Sequence, residues 1–146
     1  MSLQTDSVLI KALQTDHELR EKLGGRIYGQ AIPMPDEDAD NVPVPYVIVS
    51  FDGLVNDQRT KDDDMKGQED RVTLSVTVCA ATNEGLHSLV EDVRLRLREY
   101  LASPDEKEAD YEVFPLDYEF SAGPMTYDAL KPCYWQKLTY VCVTNR

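Results

Sequence analysis

The sequence predicts a single α+β domain of two layers, in which helices cover one face of a mixed or antiparallel sheet of about four or five strands. Two neighbouring segments carry this prediction. Arg71–Ala80 alternates strictly between apolar and polar side chains, which is the pattern of a strand with one buried face. In the next segment, apolar residues from Leu86 to Leu101 recur at helical spacing and form one stripe. A strand followed by a helix that packs back on the same sheet is the centre of a two-layer domain.

The N-terminal region predicts two short helices. The first runs from about Asp6 to Leu13, and the second from Asp16 to Leu23. Thr15 and Glu18 have the spacing of a capping box, so we expect Thr15 to cap the second helix. The glycine pair that follows Leu23 can adopt the left-handed conformation that ends a helix.

The middle of the chain predicts two strands and two loops. Arg26–Tyr28 is a short strand, and Gln30–Pro45 is a loop because it contains four prolines. Tyr46–Phe51 is apolar on both faces, which favours a central strand. Gly53–Asp70 has no apolar periodicity and is highly charged, so we predict a long mobile loop there.

The C-terminal third is less regular in pattern. Asp105–Asp110 is a charged surface loop, and Leu116–Ser121 alternates like a half-buried strand. Gly123–Pro132 is predicted to be a connector, and Tyr134–Thr144 the closing strand. Residues 1–146 therefore form one domain, with its last strands between about 111 and 144.

Composition limits the possible partners. The chain has 146 residues, 42% of them hydrophobic, and a formal charge of −12. This charge disfavours binding to nucleic acid or to an anionic membrane, and no apolar run is long enough to span a bilayer. The N-terminus lacks the pattern of a signal peptide. The three cysteines are an odd number and lie in or beside strands, which favours reduced thiols in a cytosol.

The sequence proposes no catalytic, cofactor-binding or metal-binding residue. His17 and His87 have no partners at suggestive spacing and are expected on the surface. Asp62, Asp64 and Gly67 match three positions of a calcium loop, but Thr73 stands where that loop needs its glutamate. A solvated charge run is the favoured interpretation. No phosphate-binding, dinucleotide-binding or nucleophile-elbow motif occurs.

Two surfaces are candidates for contacts between subunits. Leu95 projects from the polar back of the central helix, where Arg94, Arg96 and Arg98 are concentrated near the C-terminal end. These arginines can support the helix dipole, and they would also suit a neighbour's acidic loop. The second surface is the polar side of the Arg71–Ala80 strand. The possible interface residues are Leu95, Arg94, Arg98, Thr73, Ser75 and Thr77.

Three segments of the sequence resemble the phage head–tail joining proteins, a tail-completion or tail-terminator-like family. They are Leu23–Tyr28 at the end of the N-terminal helices, Val44–Val49 after the proline-rich loop, and the Val72–Ala80 strand with the helix Leu86–Leu97. The resemblance covers roughly Asp6 to Leu101 and is weaker in the C-terminal third.

The resemblance implies a subunit that forms a ring of six copies at the head–tail junction or the tail terminus of a virion. It implies contacts with itself, a tail-tube protein and a head-connector protein, with DNA passing through the lumen. It implies neither enzymatic activity nor a cofactor. It also implies that the protein is made in the cytoplasm of a bacterial host and becomes part of the virion. The acidic balance suits a channel that DNA must slide through. A cytosolic monomeric or dimeric binding module, whose acidic loops hold a cation or a basic partner, is the alternative, and an enzyme is third.

Overall fold

The predicted α+β fold is confirmed: among the described residues, three helices pack against a six-stranded mixed sheet. The structure is a computed structural model, and it describes residues 5–29, 44–57, 69–102, 113–129 and 133–145. The helices are α1 (Thr5–Thr15), α2 (His17–Leu23) and α3 (Asn83–Ala102). The strands are β1 (Ile27–Gly29), β2 (Tyr46–Asp57), β3 (Glu69–Ala80), β4 (Val113–Ala122), β5 (Thr126–Asp128) and β6 (Cys133–Asn145).

The sheet is built around β3. The strand order is β1-β2-β3-β6-β4, and β5 pairs separately with β6. β1 runs parallel to β2, whereas the other pairs are antiparallel. β3 therefore has a partner along both edges, which places the most regular segment of the sequence in the middle of the sheet.

The core lies between the helices and the apolar face of this sheet. On β3, Val72, Leu74, Val76 and Val78 are fully buried, as the alternation predicts. On α3 the predicted stripe is buried from Leu86 to Leu97, and Tyr100 extends it. These residues share one cluster with those of α1, α2 and β2. The two layers are thus held together by apolar burial.

The strand β5 lies in the segment that was predicted to be a connector, Gly123–Pro132, so that prediction was wrong. Thr126–Asp128 pairs with β6 through only three residues. The preceding turn is fixed by two hydrogen bonds: the Gly123 amide donates to the Lys137 carbonyl at 2.9 Å, and Gln136 Nε2 donates to the Gly123 carbonyl at 2.8 Å. Tertiary pairing creates this strand, and a three-residue segment has too little periodicity to reveal it.

The loop predicted over Gly53–Asp70 is shorter than expected, because both of its ends are strand. Gly53–Asp57 continues β2, and Glu69 and Asp70 begin β3. Asp52 is the extra residue of a bulge between Phe51 and Gly53, after which the pairing resumes. β3 is also paired with β6 up to Asn145, so the ladder extends beyond the apolar pattern. Residues 58–68 lie outside the described residues, and the mobility of the segment stays a prediction.

The helix boundary near residue 15 also differs from the prediction. Asp16, rather than Thr15, caps α2, and its carboxylate accepts a hydrogen bond from the Leu19 amide at 3.2 Å. Thr15 instead ends α1, where its hydroxyl donates to the Lys11 carbonyl at 2.8 Å. Gly24 ends α2 in the left-handed conformation with φ of 59°, as predicted.

Candidate subunit-interface surfaces

The exposed side of α3 carries Leu95, and its flanks carry opposite charges. Leu95 is 54% exposed. With about 100° per residue, Arg94 and Arg98 lie about 40° apart around the helix, whereas Asp92 lies about 160° from Arg94. Glu99 lies about 100° from Arg98, on the same flank as Asp92. The helix therefore presents one flank of net positive charge, where the exposed Glu91 accompanies the two arginines, and one acidic flank, with Leu95 between them.

The basic flank forms a small cleft against the sheet. The cleft has a volume of about 120 Å³ and is lined by Arg94, Arg98, Phe120 and Tyr140. The Arg94 guanidinium lies over the Phe120 ring, 4.7 Å from its centroid, and this ring also packs on Tyr140 at 5.1 Å. Arg98 makes no ion pair with any described residue. The cleft thus combines two exposed cations with an aromatic wall; below, these four residues are called the basic cleft.

Arg96 differs from its two neighbours because it points towards α1. Its Nε donates to the Ala12 carbonyl at 2.8 Å, and its Nη2 donates to Thr15 Oγ1 at 2.9 Å. The Asp16 carboxylate is 3.8 Å away. A cation at the carboxyl end of a helix satisfies terminal carbonyls and complements the dipole. Arg96 is therefore structural, and the helix it stabilises is α1 rather than its own.

The acidic flank borders a groove between α2 and α3. The groove has a volume of about 100 Å³, and four carboxylates and two cations line it together with two leucines. They are Asp16, Glu18, Asp92, Glu99, Lys22, Arg96, Leu19 and Leu95. Lys22 Nζ donates to Asp92 Oδ2 at 2.6 Å. This hydrogen bond, with the attraction of the same carboxylate, raises the pKa of Lys22. The carboxylates of Glu18 and Glu99 remain exposed at the rim of what is called below the acidic groove.

The second predicted surface, the polar side of β3, is only partly available. Thr73 and Thr77 are half-buried, but Ser75 is 4% exposed. The Ser75 hydroxyl donates to Asp52 Oδ1 at 3.2 Å, so the bulge in β2 supplies its partner. The interface role of these three residues stays a prediction, and Ser75 is the least accessible of them.

An apolar cluster that the sequence analysis did not assign lies on this side of the sheet. Tyr46 and Cys79 are buried there, and Tyr28, Val44, Ile48 and Trp135 pack around them. Burial raises the pKa of Tyr46, and its hydrogen bond with Cys79 adds to this shift. A signal was present, because Tyr46–Phe51 is apolar on both faces, but that pattern does not say which strands supply the neighbours.

Metal and membrane sites find no support in the described part of the chain. There, no group of three or more His, Cys, Asp or Glu side chains could hold a metal ion. His17 and His87 are both exposed, and His17 lies 3.0 Å from Glu21 one helical turn away. The calcium-loop residues Asp62, Asp64 and Gly67 lie outside the described residues. None of the described helices combines the length and apolar character needed to cross a bilayer.

Comparison with known proteins identifies a similar fold rather than a family. No protein-family model matches the sequence, and no curated protein matches it. Among solved structures, a chain from the "Virion of native gene transfer agent (GTA) particle" matches with a TM-score of 0.60. It is 14% identical, and the match covers 96% of this chain and 94% of that one. The two chains therefore share a fold over nearly their whole lengths.

Proposed function

We propose that this chain is a non-enzymatic structural subunit of a phage or phage-like virion. The observation that carries the proposal is the fold shared with a chain of the gene transfer agent virion, which leaves almost no part of either chain unmatched. The sequence resemblance to head–tail joining proteins supports the same class. Within the described residues, α3 offers exposed charged flanks and two small clefts, which suit contacts between subunits.

The finer proposal is a closed ring, of six copies, at the head–tail junction or the tail terminus. The resemblance supplies the ring, and closed cyclic symmetry prevents identical subunits from growing into an open polymer. Six chains of 16.6 kDa would have a mass of about 100 kDa. A tail-tube protein and a head-connector protein would be its neighbours. The formal charge of −12 supports a lumen through which DNA slides, since 27 acidic residues outnumber the 15 basic ones that could hold phosphates.

Deletion of the gene tests this function. A phage or prophage that lacks the chain should produce filled heads and separate tails that fail to join, or tails of uncontrolled length. Both defects are visible by electron microscopy of the lysate, and a plasmid copy of the gene should restore joined particles. Normal infectious virions from the deletion strain would contradict the proposal and favour the cytosolic binding module instead.

A further inference from the structure

The two flanks of α3 have complementary charge. The basic cleft presents Arg94 and Arg98 without a carboxylate in its lining, whereas the acidic groove has twice as many carboxylates as cations. In the groove, Lys22 is already bonded to Asp92, and Arg96 to α1. Among the described residues, no cation forms an ion pair with the rim carboxylate of Glu18 or Glu99.

None of the described residues that line the basic cleft supplies an anion to its two arginines. Arg94 and Arg98 are separated by four residues on a helix, and like charges at this spacing repel each other. The Phe120 ring stabilises the Arg94 guanidinium through a cation–π contact, which does not relieve that repulsion. A carboxylate between the two guanidiniums would relieve it, because it can accept a charge-assisted hydrogen bond from each of them.

We infer that the occupant is a second copy of this chain, whose acidic groove meets the basic cleft of its neighbour. Charge complementarity carries the assignment: in a protein with formal charge −12, copies repel one another unless a basic patch meets an acidic one. The two surfaces are different, so the contact is head-to-tail, which is the kind that generates rings. Leu95 lines the acidic groove and stands between the flanks, so the same contact covers this exposed leucine. This inference rests on the proposed ring and specifies one of its interfaces.

Charge reversal tests the inference on the full-length chain. Analytical ultracentrifugation from micromolar to millimolar protein, at low salt, measures assembly. Arg94→Glu with Arg98→Glu places like charges at each contact and should raise the dissociation constant about 100-fold or more. Glu18→Arg with Glu99→Arg should do the same, and all four changes in one chain should restore assembly. Arg20→Glu is the control, because Arg20 is exposed on α2 and lines neither surface. Far-UV circular dichroism verifies that each variant is folded.

The possible outcomes separate the inference from the function on which it rests. Rings that form equally well from the Arg94→Glu, Arg98→Glu variant would overturn this interface and leave the proposed ring intact. If the variant with all four charge reversals folds but fails to assemble, the pairing of the basic cleft with the acidic groove is overturned. A wild-type chain that is monomeric at every concentration would contradict self-assembly into a ring. If the Arg94→Glu, Arg98→Glu variant assembles normally but binds duplex DNA more weakly than the wild-type chain, the arginines contact phosphate and the inference is overturned.

Discussion

Replacing Arg96 with alanine should loosen the attachment of α1 to the central helix. The change removes two charge-assisted hydrogen bonds, to the Ala12 carbonyl at 2.8 Å and to Thr15 Oγ1 at 2.9 Å. Hydrogen bonds to charged groups contribute roughly 1.5–3 kcal/mol. The Arg96 side chain is 23% exposed, so water replaces part of this loss. We expect the free energy of unfolding to fall by about 2 kcal/mol.

Urea denaturation followed by circular dichroism measures this effect. With a slope of about 2 kcal/mol per molar urea, the midpoint should fall by about 1 M. Arg98→Ala is the matched control, two residues away on the same helix, and should change stability by less than about 0.5 kcal/mol because Arg98 makes no ion pair in the described residues. Arg96→Lys should recover only part of the loss, since one ammonium cannot reproduce the two-point geometry. Equal destabilisation by the two alanine variants would refute this reasoning.

Three further predictions follow from burial and pairing. Val93→Asp should unfold the domain because it buries an unpaired charge, whereas Leu95→Asp on the exposed side should keep a near-native melting temperature; equal melting would show that the core assignment is wrong. Burial raises the pKa of Cys142 from 9.0 to about 12, so its thiol should resist Ellman's reagent in the native protein and react in urea. Fast reaction of the native protein at pH 8 would disprove the burial. Because the folded form holds this thiol proton more tightly than the unfolded form, the free energy of unfolding should be constant below pH 9 with respect to this group and should decline as pH rises towards 12. Amide exchange across Gly53–Asp57 should be slowed wherever β2 is bonded to β3, and uniformly rapid exchange there would favour a mobile loop over the full predicted length.

The central layers could be predicted because their pattern and their packing coincide. Val76 belongs to the two-residue alternation of β3, and Val93 belongs to the 3.6-residue apolar period of α3. Both side chains are fully buried where the helix packs on the sheet. β5 and the outer half of β2 could not be predicted, because pairing with distant strands creates them. Their own side chains lack an apolar period, and the hydrogen bonds of the ladder do not require one.

The candidate interface was predictable in composition but not in geometry. Sequence spacing places Arg94, Arg96 and Arg98 close together on one helix, yet it cannot show that Arg96 alone reaches α1, 84 residues away. Neither does it show that Phe120 comes to lie under Arg94. Those contacts depend on how α1 and β4 pack beside α3, which is a property of the whole fold. The same packing places α2 beside one flank of α3 and Phe120 beside the other, which forms the acidic groove and the basic cleft.

Cryo-electron microscopy of purified particles from the phage or prophage that encodes this chain tests the central claim most directly. We predict a closed ring of copies, recognisable by the six-stranded sheet and its long α3, at the head–tail junction or at the end of the tail. In that ring α3 should lie at the contact between neighbouring subunits. A reconstruction in which every density at both positions is explained by other proteins would contradict the account.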